Sequence, residues 1–183
     1  LCRAAARLFE SRHPMTAIPT LTTVRLVLRP PVAADFDAYA PMMASERARF
    51  MGGPFDRKTA WGMFCHDTAG WSLFGIGSMM IVDQASGTLL GQVGINNGPF
   101  FPEPELGWML YDGQEGKGYA TEAAGALRDW AFATTQLASL VSYVDAGNLA
   151  SRKVAERLCG QFDPTAERPD PEDLVYRHLR GHK

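Results

Sequence analysis

Apolar and polar residues along this chain repeat with period two in some stretches and with a helical period in others. "TTVRLVLRP" (residues 22–30) sets Val24, Leu26 and Leu28 against Arg25 and Arg29, the alternation of a half-buried strand, and Pro30-Pro31 stops it. "AADFDAYAPMMASERARFM" (33–51) reads as one or two short helices broken near Pro41. "GGPFD" is a loop. Its Asp56 is placed to cap a helix through "RKTAWGMFCHD" (57–67), with Trp61, Phe64 and Cys65 on the inner side. In "IGSMMIVDQASGTLLGQVGINN" two β-rich runs flank Ala85-Ser86-Gly87, which is hairpin punctuation. "NGPFFPEP" is a proline-rich loop and "ELGWML" (105–110) a strand. "GQEGKGYATEAAGALRDWAF" then passes from a glycine turn into a helix that reaches about Thr135. "LASLVSYVDAGN" is a strand, and "LASRKVAERL" a helix capped by Asn148. "DPTAERPDPED" is a polar loop, and "LVYRHLRG" the last strand.

This order predicts an α+β protein: a mostly antiparallel central sheet flanked by helices, with one β-α-β crossover around the glycine turn. Neither a repeat nor a linker divides the chain, so residues 15–183 are expected to form one domain. Residues 1–14, "LCRAAARLFESRHP", are rich in Ala and Arg and precede Met15. They read as an N-terminal extension or expression remnant, with Met15 a plausible natural start.

Composition narrows the function. The chain has 183 residues, 46% apolar and 21% charged, ordinary for a globular protein with a sizeable core. A net charge of −2 argues against nucleic acid as a bulk partner. No apolar run approaches the ~18 residues of a membrane span. Cys2, Cys65 and Cys159 lack metal or disulfide spacing and fit a reducing cytoplasm, and His13, His66, His178 and His182 form no metal motif.

The glycine turn carries the chemistry. A helix start offers unpaired N–H groups and partial positive charge, and glycine lets the backbone approach a ligand closely, so an anion fits there. A P-loop fails because Gly116-Lys117 is followed by Gly118 instead of Ser or Thr. The dinucleotide fingerprint fails because Thr121 stands where its third glycine belongs. A tight turn with no ligand is the plain alternative.

Six segments in order, "VRLVLRP", "GTLLGQVGI", "ELGWML", "GKGYATEAAGALRDWAF", "NLASRKVAERL" and "LVYRHL", resemble the GCN5-related N-acetyltransferases. The branch is the one similar to ribosomal-protein N-terminal acetyltransferases, and the resemblance covers about residues 19–180. It implies a GNAT-like sheet whose splayed strand pair binds acetyl-CoA, without a metal. It also implies transfer of an acetyl group to a primary amine by direct attack, the acceptor being a protein N-terminal α-amine or a small-molecule amine. A CoA-binding sensor without catalysis is the rival reading. The expected protein is a monomer or homodimer that engages neither nucleic acid nor membrane.

Residue by residue, the resemblance places the pyrophosphate on Glu115, Gly116, Lys117, Gly118, Tyr119, Ala120 and Thr121. Glu115 stands where the family prefers Gln or Arg, with Gln114 beside it. Trp108, Met109 and Leu110 match the pantetheine-binding strand, and Asn148 and Ser151 the contacts at the CoA sulfur. Each has an ordinary structural alternative, as core packing or as a helix cap. Ala155 stands where many relatives carry an acidic tyrosine, so Ser151 is expected to protonate the leaving thiolate. Cys159 replaces their helix-ending glycine. Glu105, on the opposite face of its strand from Trp108, is the expected base, with Glu103 the other candidate. Phe50, Phe100, Phe101 and Trp108 are candidates for the acceptor end.

Overall fold

The computed structural model describes residues 18–181, and the extension expected over residues 1–14 lies outside them. The elements run β1 (Leu21–Thr22), β2 (Leu26–Arg29), α1 (Phe36–Met43), α2 (Arg57–Phe74), β3 (Ser78–Asp83), β4 (Leu89–Asn96), β5 (Glu105–Leu110), α3 (Tyr119–Thr134), β6 (Ser139–Asp145), α4 (Leu149–Arg157), β7 (Gln161–Phe162) and β8 (Asp173–Leu179). Short 3₁₀ turns cover Ala33–Asp35 and Glu46–Met51.

The strands form one sheet in the order β1-β2-β3-β4-β5-β6-β8-β7. Every neighbouring pair is antiparallel except β5 and β6, which α3 connects as the crossover. The α+β architecture expected from the sequence is the one observed.

The two sheet faces differ. One carries Met79, Ile81, Val93, Ile95 and Leu106, all buried against Ala123, Ala124 and Leu127 of α3. The other carries Met80 and Met109, packed with Tyr39 and Phe64 of α1 and α2. Alternation along β3, β4 and β5 puts Ser78, Gln92, Gly94, Asn96, Glu105 and Gly107 on this second face. Its centre is therefore polar or without side chains, although it lies under a helix pair.

Several local expectations change. The helix around Pro41 continues through it, since α1 spans Phe36–Met43. A helix this short loses one backbone bond to the ring, and burial of Phe36, Tyr39, Ala40 and Met43 outweighs that loss. Asp56 caps α2, its Oδ1 accepting from the Thr59 N–H at 2.7 Å, but the helix runs on to Phe74. Phe64 faces inward as expected, whereas Trp61 and Cys65 are exposed. Val24 is 93% exposed, because β2 begins only at Leu26 and the chain turns just before it. Among the described residues, no helix is long and apolar enough to cross a membrane.

Candidate active site

Strands β5 and β6 share a single ladder pair, Glu105 with Val141. Val141 donates its N–H to the Pro104 carbonyl at 3.0 Å, and the Ser142 hydroxyl donates to the Leu106 carbonyl at 2.7 Å. Beyond this point the strands diverge. On its other edge β5 keeps register with β4 as far as Leu110, and the Tyr111 N–H donates to the Leu90 carbonyl at 2.8 Å. Main-chain groups alternate between the two edges of a strand. Those of Met109 and Tyr111 thus serve β4, while those of Trp108 and Leu110 open into the gap. One is engaged: Arg47 Nη2 donates to the Leu110 carbonyl at 2.9 Å.

A buried histidine holds the point of divergence. Ser142 has one hydroxyl proton, and Leu106 takes it. His178 Nε2, 3.1 Å from the same oxygen, must therefore be the donor in that contact. Burial depresses the imidazole to about 4, so it is neutral at physiological pH.

The glycine turn opens onto the same gap. Gly116 and Gly118 have φ of +75° and +83°, a region that costs other residues strain, and Gly118 is the N-cap of α3. The first bond at this end runs from the Glu122 N–H to the Gly118 carbonyl at 3.1 Å. The N–H groups of Tyr119, Ala120 and Thr121 consequently have no acceptor within the helix. With the helix dipole they form an anion site, and among the described residues the buried Thr121 hydroxyl beside them is also unpartnered.

Two arginines clamp the turn. Arg25 pairs with Glu122 at 2.7 Å, donates from Nη1 to the Lys117 carbonyl at 2.9 Å and lies over the Tyr119 ring. Arg47 pairs with Glu115 and reaches Asp112 at 3.3 Å. A guanidinium from a distant 3₁₀ turn thus stands against the acid that replaces the family's Gln or Arg.

A cleft of about 1150 Å³ joins these parts. Of the residues expected to hold the cosubstrate, all but Lys117 line it. The Lys117 ammonium instead donates to the Gly113 carbonyl at 2.8 Å and to Gln114 Oε1 at 3.1 Å. Asn148 caps α4, its Oδ1 accepting from the Ser151 N–H at 3.1 Å. Among the described residues the Ser151 hydroxyl makes no hydrogen bond, and the residue lines the cleft. Phe50, Phe101 and Trp108 also line it, whereas Phe100 is 79% exposed and stands apart. Ala155 is fully buried against Val144 and Tyr176.

The two candidate bases separate. Glu103 makes a two-pronged ion pair with Arg177 at 2.6 and 2.7 Å, which holds its carboxyl below the ordinary range, and it does not line the cleft. Glu105 does line it. Its Oε2 accepts from Asn96 Nδ2 at 3.0 Å, and burial pushes the carboxyl up to about 7. Asp173 adds to that rise and the Asn96 bond opposes it.

Sequence reasoning missed Tyr39, Asp67, Gln92 and Arg47, which all line the cleft. For Arg47 no signal existed, since a lone arginine distant in sequence announces nothing. Tyr39 and Asp67, on helices far from β4 in sequence, gave none either, but for Gln92 there was one. "GQVGIN" places Gln92, Gly94 and Asn96 on one face of a central strand, where a buried core would require apolar side chains.

This chain belongs to the acetyltransferase (GNAT) domain family, whose model matches residues 25–160. It is 58% identical to the acetyltransferase of Agrobacterium tumefaciens, whose crystal structure superposes with a TM-score of 0.86 over 89% of this chain and 95% of that one. A putative GNAT-family acetyltransferase from Bordetella pertussis is 26% identical, with a TM-score of 0.72 over 88% of this chain and all of that one. The RimL ribosomal L7/L12 α-N-protein acetyltransferase, solved in complex with CoA, is 16% identical and shares the fold, with a TM-score of 0.69 over 88% of this chain and 98% of that one. The uncharacterised protein YkkB of Bacillus subtilis is 31% identical over 105 residues, and the match spans 56% of this chain and 61% of that protein. The chain is an acetyltransferase. Free N–H groups at α3 fit a pyrophosphate, and the open edge of β5 fits an amide-bearing arm, as its cosubstrate acetyl-CoA requires.

Proposed function

We propose that this protein acetylates a primary amine by direct attack on acetyl-CoA, with Glu105 as general base and Ser151 as the proton donor to sulfur. Acetyl-CoA supplies an acetyl group activated as a thioester. The amine nitrogen forms the new C–N bond as the C–S bond breaks. Glu105 receives the amine's proton; the Ser151 hydroxyl, free of other partners among the described residues, passes its proton to the departing thiolate and is reprotonated by solvent, which also takes up the proton from Glu105. Trp108 and Leu110 present unpaired N–H groups in the splay, where one can donate to the oxygen on which charge develops.

The observation that carries this reading is Glu105: a carboxylate in the cleft wall, held by Asn96 beside the splay and tuned to about 7. A base of that strength suits an α-amine. An α-ammonium has a pKa of about 8, only about one unit above it, whereas a lysine ammonium lies near 10.4. About a tenth of α-amines are already neutral at pH 7, against roughly one lysine in 2,500. A protein N-terminal α-amine is the acceptor that agrees with both this match and the family resemblance. A small-molecule amine is the second reading, favoured by the acidic walls that Asp67, Asp170 and Asp173 give the cleft. The exposed free cysteines Cys65 and Cys159 support a reducing cytoplasm.

Release of free CoA thiol is the assay, with N-terminal peptides beside small amines. Glu105→Gln is expected to lower kcat/KM roughly 10²–10⁴-fold, as loss of a general base does. The parent's kcat/KM is expected to rise with pH through about 7, where Glu105 ionises, as well as near 8, where the amine does, and the variant is expected to lose the lower limb and keep only the amine's. A variant that keeps both rate and lower limb would remove Glu105 from the chemistry. Tight CoA binding without turnover of any amine would favour the sensor.

A further inference from the structure

Below the α1–α2 layer the cleft deepens into a pocket that acetyl transfer alone does not require. Its floor has no side chains, because Gly94 and Gly107 face each other across β4 and β5. A Cβ on Gly94 would fall 2.2 Å from Ser78 Oγ, so the hydroxyl of the third strand fills the place a side chain would take. At one end of the floor stand Asn96 and Glu105, a cross-strand pair joined by a hydrogen bond. At the other stands Gln92, paired in register with Met109. The roof is α2, which contributes Asp67, with Tyr39 of α1 beside it at an O···O distance of 3.5 Å.

Asp67 has no role in the mechanism above, yet it is a carboxylate in the same cavity as the base. Burial raises its pKa to about 7, and the charge of Glu105 adds to that rise. Among the described residues neither acid forms a salt bridge, although eight other ion pairs are made. Gln92 supplies a second sign of an occupant. It is only 5% exposed, lines the pocket, and among the described residues its Nε2 has no hydrogen-bond partner. It lies near enough to Asp67 to favour the charged carboxylate without meeting hydrogen-bond geometry. Buried polar groups left open cost free energy, so such a pocket is built for a polar occupant.

We infer that Asp67 is a specificity residue which holds a second protonated nitrogen on the acceptor, close to the amine that Glu105 deprotonates. This inference rests on the acetyl-transfer reading and names the class of its acceptor: a diamine, either free or as the first residue of a peptide with a cationic side chain. Glu105 at one end of the side-chain-free floor and Asp67 in the roof above it provide one anion for each nitrogen. A second ammonium also lowers the pKa of the neighbouring amine by charge repulsion, which brings it closer to the reach of Glu105.

The test is thiol release by the parent protein with butane diamine against butylamine, and with a lysine-first against an alanine-first dipeptide. A charge-assisted hydrogen bond of the usual strength predicts a roughly 10–100-fold preference in kcat/KM for the dication of each pair. The free amines and the dipeptides separate the two sources of that chemistry. Asp67→Asn is expected to collapse the preference by raising the KM of the dication, and Asp67→Glu to restore part of it. Butane diamine should also raise the melting temperature of the CoA-saturated parent, a readout independent of turnover, and butylamine should not. Turnover of both members of each pair at equal efficiency overturns the inference and leaves acetyl transfer standing, whichever way the variants fold. So does a folded Asp67→Asn protein that keeps the preference. No thiol release from any amine overturns both readings.

Discussion

At the scale of single residues, Glu105 links the chemistry to stability. Its carboxyl rises from an ordinary 4.5 to about 7 in the folded chain. The folded state therefore holds a proton between those values that the unfolded state has released. The stability this contributes is present at low pH and is lost as pH rises through about 7. Above that, a buried charge remains. Glutamine keeps the shape and can still accept from Asn96, but it never ionises. We expect Glu105→Gln to melt with the parent near pH 5 and above it near pH 8. The gain should be roughly 1–3 kcal/mol, at about 2–4 °C per kcal/mol for a domain of this size. The comparison must be the difference between variant and parent. Asp67 and Asp173 shift in the same direction as Glu105, whereas His178 shifts in the opposite sense for stability. A melting difference that does not change with pH would show that Glu105 is not held as described.

At the scale of elements, the end of α4 shows what one wrong residue costs. Cys159 has φ of +58°, the left-handed conformation that usually ends a helix on glycine. Gly160 follows it and cannot take a side chain, since a Cβ there would fall 2.8 Å from His178 Cε1 and 2.9 Å from the Ala155 carbonyl. The glycine is thus fixed one position late by packing, and the cysteine bears the strain. The Cys159 side chain is exposed, so little packing is lost on its removal. Cys159→Gly should relieve about 1–2 kcal/mol of strain and give back about 0.4–1 to the looser unfolded chain. The net expectation is a gain of roughly 0.5–1 kcal/mol in urea unfolding. An unchanged or lower midpoint would count against strain at this cap.

Elements were also where sequence reading succeeded and failed. The hairpin, the capped helices α2 and α4, and the glycine turn rest on local chemistry: Asp56 and Asn148 as caps, Ala85-Ser86-Gly87 as turn. Local chemistry is visible in a string of letters. The glycine turn at the start of α3 was legible for the same reason, and of the two candidate bases read from the sequence only Glu105 lines the cleft. The pins and clamps were not, because each joins segments far apart: Ser142 to Leu106, Arg47 to Glu115, Asp67 to the floor under α2. Pro41 and Val24 misled in the reverse direction, since tertiary burial decided the helix in one case and the chain's turn decided the exposure in the other.

At the scale of the whole molecule, ligand and fold are coupled through the splay. The cosubstrate cleft takes its walls from α3, α4, β5 and the 3₁₀ turn at Glu46–Met51, segments far apart in sequence. No such surface exists in the unfolded chain, so anything that fills it stabilises the native state by mass action. Acetyl-CoA and CoA at ~100 times their dissociation constant should each add about 2.7 kcal/mol. Gly118→Val separates the ligand's effect from that of the fold. It leaves the sheet untouched but forces a β-branched residue to φ of +83°, with its Cβ 3.4 Å from Arg25 Nη2. The variant should melt somewhat below the parent, through the strained turn, and gain nothing from CoA. Differential scanning calorimetry of both proteins with and without CoA makes the comparison. An equal ligand shift in the variant would move the pyrophosphate site away from this turn. A shift with ATP or NAD, and none with CoA, would mean that the cleft was shaped for a different nucleotide.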